Sequence, residues 1–147
     1  MYEIKTIVCP VDFSPGSDRA ADHAVSIALK YAATLHLMHV YPIDVFVGPD
    51  GGLTLTPDIV KRIVEEATTG LEKIAAPLRA RGVDVHIDVR DGIAAEEIVR
   101  YAEKLKAELI VVGTHGRTGL SRMLVGSVAE RIVRTAHIPV LTVRLVE

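Results

Sequence analysis

A single cysteine, Cys9, stands in a chain of 147 residues, so no intrachain disulfide can form and a reducing, cytoplasmic compartment is expected. No apolar run approaches the roughly 18 residues a membrane span needs. The first residues, "MYEIKTIVCPVDF", lack the basic start, apolar core and small-residue cleavage site of a secretory signal. There is no basic excess either. The net charge of −2 argues against a nucleic-acid partner. Neither Gly-Lys-Ser/Thr nor G-x-G-x-x-G after a strand occurs, which excludes a P-loop and a dinucleotide fingerprint. The six histidines are scattered at 23, 36, 39, 86, 115 and 137 and make no metal-ligand set. Low complexity and a second domain are also missing, so residues 1–147 read as one domain. At this length a chain buries roughly two thirds of its unfolded surface and needs no staple.

What is present is alternation. "KTIVCPV" (5–11) is a nearly continuous apolar run, as expected of a strand covered on both faces. Ser17 is read as the N-cap of a helix carrying Ala21, Ala24, Val25, Ala28 and Ala32. "LHLMHV" (35–40) is a second strand, on which His36 and His39 must point to opposite faces. A long loop, 41–55, leads to Thr56-Pro57-Asp58, which has the cap, proline and acid of a helix start. The apolar stripe that follows should loosen at Pro77 and stop at Gly82. "VDVHIDV" (83–89) alternates strictly and reads as a half-exposed strand near a sheet edge. Asp91-Gly92 turns the chain into a helix with Ala95, Ile98, Ala102 and Leu105 on one side. "ELIVVG" (108–113), "SVAERIVRTA" (127–136) and "PVLTVRLV" (139–146) complete a strand–helix repeat that lacks only its last helix. The class is α/β, a mostly parallel sheet with helices on both faces.

In such a sheet, ligands bind beyond the carboxyl ends of the strands, where the strand order reverses. The fourth strand end, "VVGTHGRTGLSRMLVGS" (111–127), is the richest in glycine. Glycines let a backbone approach a ligand closely. Gly126-Ser127 opens a helix, where free N–H groups and the dipole favour an anion. Together these make a phosphate cradle, with the Ser127 hydroxyl as an added donor. Glycines that only make turns are the competing reading.

The spacing Gly113-x2-Gly116-x9-Gly126-Ser127, in its strand–loop–helix context, resembles the nucleotide-binding signature of the universal stress protein family, in its ATP-binding branch. "IVCPVDFS", "LHLMHV" and "GTHGRTGLSRMLVGSVAERIVRTAHIPVLTV" are similar to the same family, so the likeness spans the chain. The resemblance implies a single-domain, Rossmann-like sheet of the adenine nucleotide alpha hydrolase type, five parallel strands in the order 3-2-1-4-5. It implies ATP, with ADP and AMP as alternatives and Mg²⁺ accompanying the phosphates. It also implies a homodimer built through the C-terminal strand. By matching position, Pro10 and Val11 would lie beside the base, Asp12 at the ribose or adenine edge, and Val40 would offer backbone bonds to adenine. Gly113, His115, Gly116 and Arg117 would wrap the phosphates, with Gly126, Ser127 and Val128 completing the cradle.

Taken singly, Asp12 could accept ribose hydroxyls or serve as a turn or helix cap. His115, Arg117 and Arg122 could meet phosphate or face solvent. Cys9 is expected to be an inert core residue. Glu96, Glu97, Glu103 and Asp91 have no placed partner for acid–base work, and no nucleophile–base pair is visible. The expected function is therefore an ATP-binding, stress-response or signalling module with slow or no hydrolysis, acting on unidentified protein partners. A nucleotide hydrolase or nucleotidyl transferase, and a nucleotide-free interaction module, are the alternatives.

Overall fold

The computed structural model describes residues 1–42, 56–114 and 125–145. Its elements run β1 (Thr6–Pro10), α1 (Pro15–Tyr31), β2 (Thr34–Tyr41), α2 (Pro57–Ala80), β3 (Val85–Asp91), α3 (Ala94–Lys104), β4 (Leu109–Gly113), α4 (Ser127–Thr135) and β5 (Val140–Val143). All strand pairings are parallel and the sheet order is β3-β2-β1-β4-β5. The alternating strand–helix pattern and the expected order both hold.

The apolar runs of β1 and β4 are continuous because each strand is covered on both faces. Ile7, Cys9, Leu109 and Val111 join Ala24, Ala28, Leu71 and Ala75 of α1 and α2 in one core layer. Val8, Ile110 and Val112 join Ile98, Ala102, Ala129 and Ile132 of α3 and α4 in the other. Each fully buried Leu, Ile or Val side chain contributes about 1.5–3 kcal/mol. Cys9 is fully buried, and desolvation pushes its thiol up to about 12, so the thiolate needed for reaction does not form at neutral pH. β3 is an edge strand, as its alternation indicated, although it begins at Val85 rather than Val83. Strand β5 is shorter than expected, ending at Val143.

One local expectation is corrected. The N-cap of α1 is Ser14, not Ser17: Pro15 takes the first helical position, where its missing N–H costs nothing, and Ser14 Oγ accepts from Ser17 N at 3.3 Å. Helix α2 passes through Pro77 to Ala80. Proline removes one ladder bond there, while Ala75 and Leu78 on either side of it stay buried in the core. Thr56 caps α2 as expected, accepting from Ile59 N at 3.3 Å. Gly82 follows the helix with a φ of 88°, the left-handed stop that glycine adopts freely.

Candidate functional site

The strand order reverses between β1 and β4, and a cleft of about 210 Å³ opens there, beyond their carboxyl ends. Its floor is Pro10, Val11 and Asp12 after β1, Met38, His39 and Val40 of β2, and Val112, Gly113 and Thr114 of β4. Its walls are the first turns of α3, with Ala94 and Ile98, and of α4, with Gly126 to Ala129. Eight of the sequence-derived site residues therefore share one cleft: Pro10, Val11, Asp12, Val40, Gly113, Gly126, Ser127 and Val128. His115, Gly116 and Arg117, like Arg122, lie outside the described residues.

The cleft has two chemical characters. Val11, Met38, Val40, Ile98 and Val112 make an apolar slot. Asp12, Ser17, Thr114 and Ser127 are polar residues of its lining. The start of α4 adds donors. The N–H groups of Ser127, Val128 and Ala129 have no partner within the helix. Gly126, at the cap position, supplies no side-chain bond to them. The positive end of the α4 dipole thus faces the cleft, a setting that favours an anion.

Gly113 owes its identity to a neighbour the spacing did not reveal. A Cβ on it would stand 2.6 Å from Gly16 O and 2.8 Å from Gly16 C, in the backbone at the start of α1. The bare backbone of β4 lets α1 come down onto the strand and brings buried Ser17 to the cleft.

Asp12 is held as the strand leaves the sheet. Its Oδ1 accepts from Ser14 N at 2.9 Å and from the Ser14 hydroxyl, and its own N–H donates to Ser17 Oγ at 3.3 Å. Phe13 then takes a φ of 63°, a left-handed conformation that costs an ordinary residue about 1–3 kcal/mol.

Sequence reasoning missed Ser17, His39 and Thr114. Thr114 follows Gly113 directly and is buried, and its N–H donates to Val143 O at 3.0 Å. His39 precedes Val40 and, by strand alternation, faces away from His36. The structure bears this out. His39 Nδ1 lies 2.7 Å from Val11 O, whereas His36 Nδ1 meets the Tyr101 hydroxyl at 3.1 Å on the α3 side. A carbonyl only accepts, so Nδ1 of His39 carries the proton.

Away from the cleft, His36 stacks on His86 with ring centroids 5.0 Å apart. Desolvation, and then the nearby His86, lower the His36 pKa from its ordinary 6.5, while Asp84 and Asp88 act the other way. A depressed pKa means the unfolded chain binds the proton more tightly than the folded one. The stability this group contributes is present above pH 6.5 and is lost as pH falls through the folded pKa. Urea midpoints should therefore drop between pH 7 and pH 5 more steeply in the native sequence than in His36→Gln. Parallel profiles would refute this.

An open parallel sheet with a half-apolar cleft at its switch point, beside a helix start whose cap residue is a glycine, is an α/β setting that favours phosphate-bearing ligands. The comparisons make the class specific. The chain belongs to the universal stress protein family, whose family model matches residues 3–144. It is 43% identical over 142 residues to universal stress protein MJ0531 of Methanocaldococcus jannaschii, covering 95% of this chain and 82% of that one. Protein MJ0577 of the same organism, of known structure, superposes with a TM-score of 0.87 at 29% identity, covering 99% of both chains. A universal stress protein solved in complex with cAMP superposes with a TM-score of 0.67 at 26% identity, covering 97% of this chain and 98% of that one. Among the described residues, no helix is long and apolar enough to cross a membrane.

Proposed function

We propose that the cleft between β1 and β4 takes an adenine nucleotide, ATP in the first instance, and that nucleotide occupancy is the signal this protein presents to protein partners under stress. The observation that carries the reading is the pairing, within one cleft, of an apolar slot with the glycine-capped start of α4. Adenine would lie against Val11, Val40 and Ile98, with the Val40 backbone at its edge. The ribose would meet Asp12. The phosphates would take the N–H groups of Ser127 and Val128 and the Ser127 hydroxyl, beside Gly113 and Gly126. His115, Gly116 and Arg117 belong to the same proposed set by motif. The cAMP complex of a family member supports adenine as the base.

Magnesium would arrive on the phosphates and be neutralised mainly by them. Asp12, Thr114 and Ser127, which line the cleft, carry the kind of oxygen ligand so hard a cation takes. A nucleophile–base pair is not part of this reading, so turnover would be slow or absent. Calorimetric titration with ATP, ADP and AMP in the presence of Mg²⁺ tests it. Binding near one nucleotide per subunit is expected, with affinity ranking the phosphates. No heat with any of the three would favour the nucleotide-free interaction module.

The proposal includes a homodimer through β5. That strand ends the sheet, and Leu141 on it and Val133 on α4 are exposed apolar side chains. An open edge flanked by apolar residues is a template for a two-fold partner. Light scattering at tens of micromolar should give twice the 15.9 kDa chain mass. A monomer mass would exclude the dimer.

A further inference from the structure

We propose that Phe13, lodged in a gap that Gly70 leaves in α2, is a positioning residue for Asp12. The inference rests on the nucleotide reading of the cleft and assigns to it a part of the molecule that does not touch the ligand.

Gly70 stands in the middle of α2, where glycine weakens a helix relative to alanine. The structure supplies the reason for it. A Cβ there would stand 2.7 Å from Cε1 and 2.9 Å from Cζ of Phe13. The phenyl ring fills the space a side chain would have taken. The ring also lies against the His39 ring, with centroids 4.9 Å apart at 41°. Phe13 does not line the cleft between β1 and β4. It borders a separate, open cleft with Ile63 and Glu66 of α2, and Asp12, His39 and Val40 form the wall between the two.

Asp12 is thus flanked by two anchored residues. On one side Val11 is tied to β2 twice, by its N–H to Met38 O at 2.7 Å and by its carbonyl to His39 Nδ1 at 2.7 Å. On the other, Phe13 keeps a left-handed φ of 63°, which few side chains would hold unaided. The ring caught between His39 and Gly70 holds it there. The peptide on each side of Asp12 is fixed, so the direction in which its carboxyl group leaves the strand is fixed too. Helix α2, some 57 residues away in sequence, becomes part of the ligand site at one remove.

The test is a cycle of two substitutions. Gly70→Ala puts a methyl group into the ring's place. Phe13→Leu removes the two ring atoms that would collide and keeps the one near Cδ1, which a Cβ would meet at 3.4 Å. Titration with Mg-ATP should show Gly70→Ala weakened by roughly tenfold, as a displaced binding group predicts. Its helix content should be unchanged or raised, since alanine favours a helix. Phe13→Leu alone should weaken binding by about threefold, because the ring's hold between His39 and Gly70 is lost, and the double variant should bind like Phe13→Leu rather than show both losses multiplied, a non-additive result that contact between the two residues requires. If Gly70→Ala does not fold, the double variant carries the test by itself. Native affinity in folded Gly70→Ala, or no recovery in the folded double variant, overturns the positioning role. Absence of binding by the native protein overturns the nucleotide reading and this inference with it.

Discussion

Replacing Gly126 by valine is expected to abolish adenine-nucleotide binding while leaving the protein folded. Gly126 has φ −56° and ψ 151°, extended backbone that a side chain can adopt, so the substitution need not strain the chain. It stands at the cap position of α4, next to the N–H groups proposed to take the phosphates, and it lines the cleft. Valine is a poorer cap than glycine, which should cost well under the protein's total stability. Its branched side chain would occupy space that the phosphates need. A loss of at least a hundredfold in affinity is expected, about 3 kcal/mol. Calorimetry on the variant, with a thermal melt beside it, reads both parts. Native affinity in a folded Gly126→Val protein would mean that the phosphates do not sit at the start of α4.

The second large effect falls on the fold. Gly113→Ala is expected to destabilise the protein by about 2–3 kcal/mol, the scale of overpacking in a close-packed interior. The atoms a Cβ would meet are Gly16 O and C, which belong to backbone and cannot rotate away. Relief requires α1 to lift from β4, against the buried contacts of Ala20, Ala21 and Ala24. The melting temperature should fall by roughly 5–10 °C. Nucleotide affinity should fall as well, because Ser17 and the end of β4 both border the cleft. A urea midpoint equal to that of the native protein would show that the approach of α1 to β4 is looser than described.

These two glycines show where a sequence speaks and where it is silent. Their spacing, with Ser127, brought Gly113 and Gly126 together in the sequence reading, and both line one cleft. Doubly apolar β1 and β4, alternating β3 and the Thr56-Pro57-Asp58 helix start are local signals, and each is read within a dozen residues. They determine faces and elements, and the strand order followed from the family likeness. What could not be read is which distant atoms meet. Gly113 looks like a residue kept bare for a ligand, yet it is also kept bare for Gly16. Gly70 looks like a mere flaw in a helix until Phe13 is found against it. Ser17 reads as the cap of α1 in the sequence, and only the helical placement of Pro15 shows that Ser14 takes that position. His39 shows its role through a bond to the neighbouring strand, which depends on register. Interactions across strands and layers leave no periodic trace in the chain.

The central claim is that the switch-point cleft, and not some other surface, receives the nucleotide. Amide chemical shifts of the isotopically labelled protein, followed while Mg-ATP is added, test it most directly. The account predicts saturable shifts that begin at Asp12, Val40, Gly113 and Gly126 to Ala129, with β3 and the outer face of α2 unmoved. Saturable shifts centred elsewhere, or none at millimolar nucleotide, would contradict it.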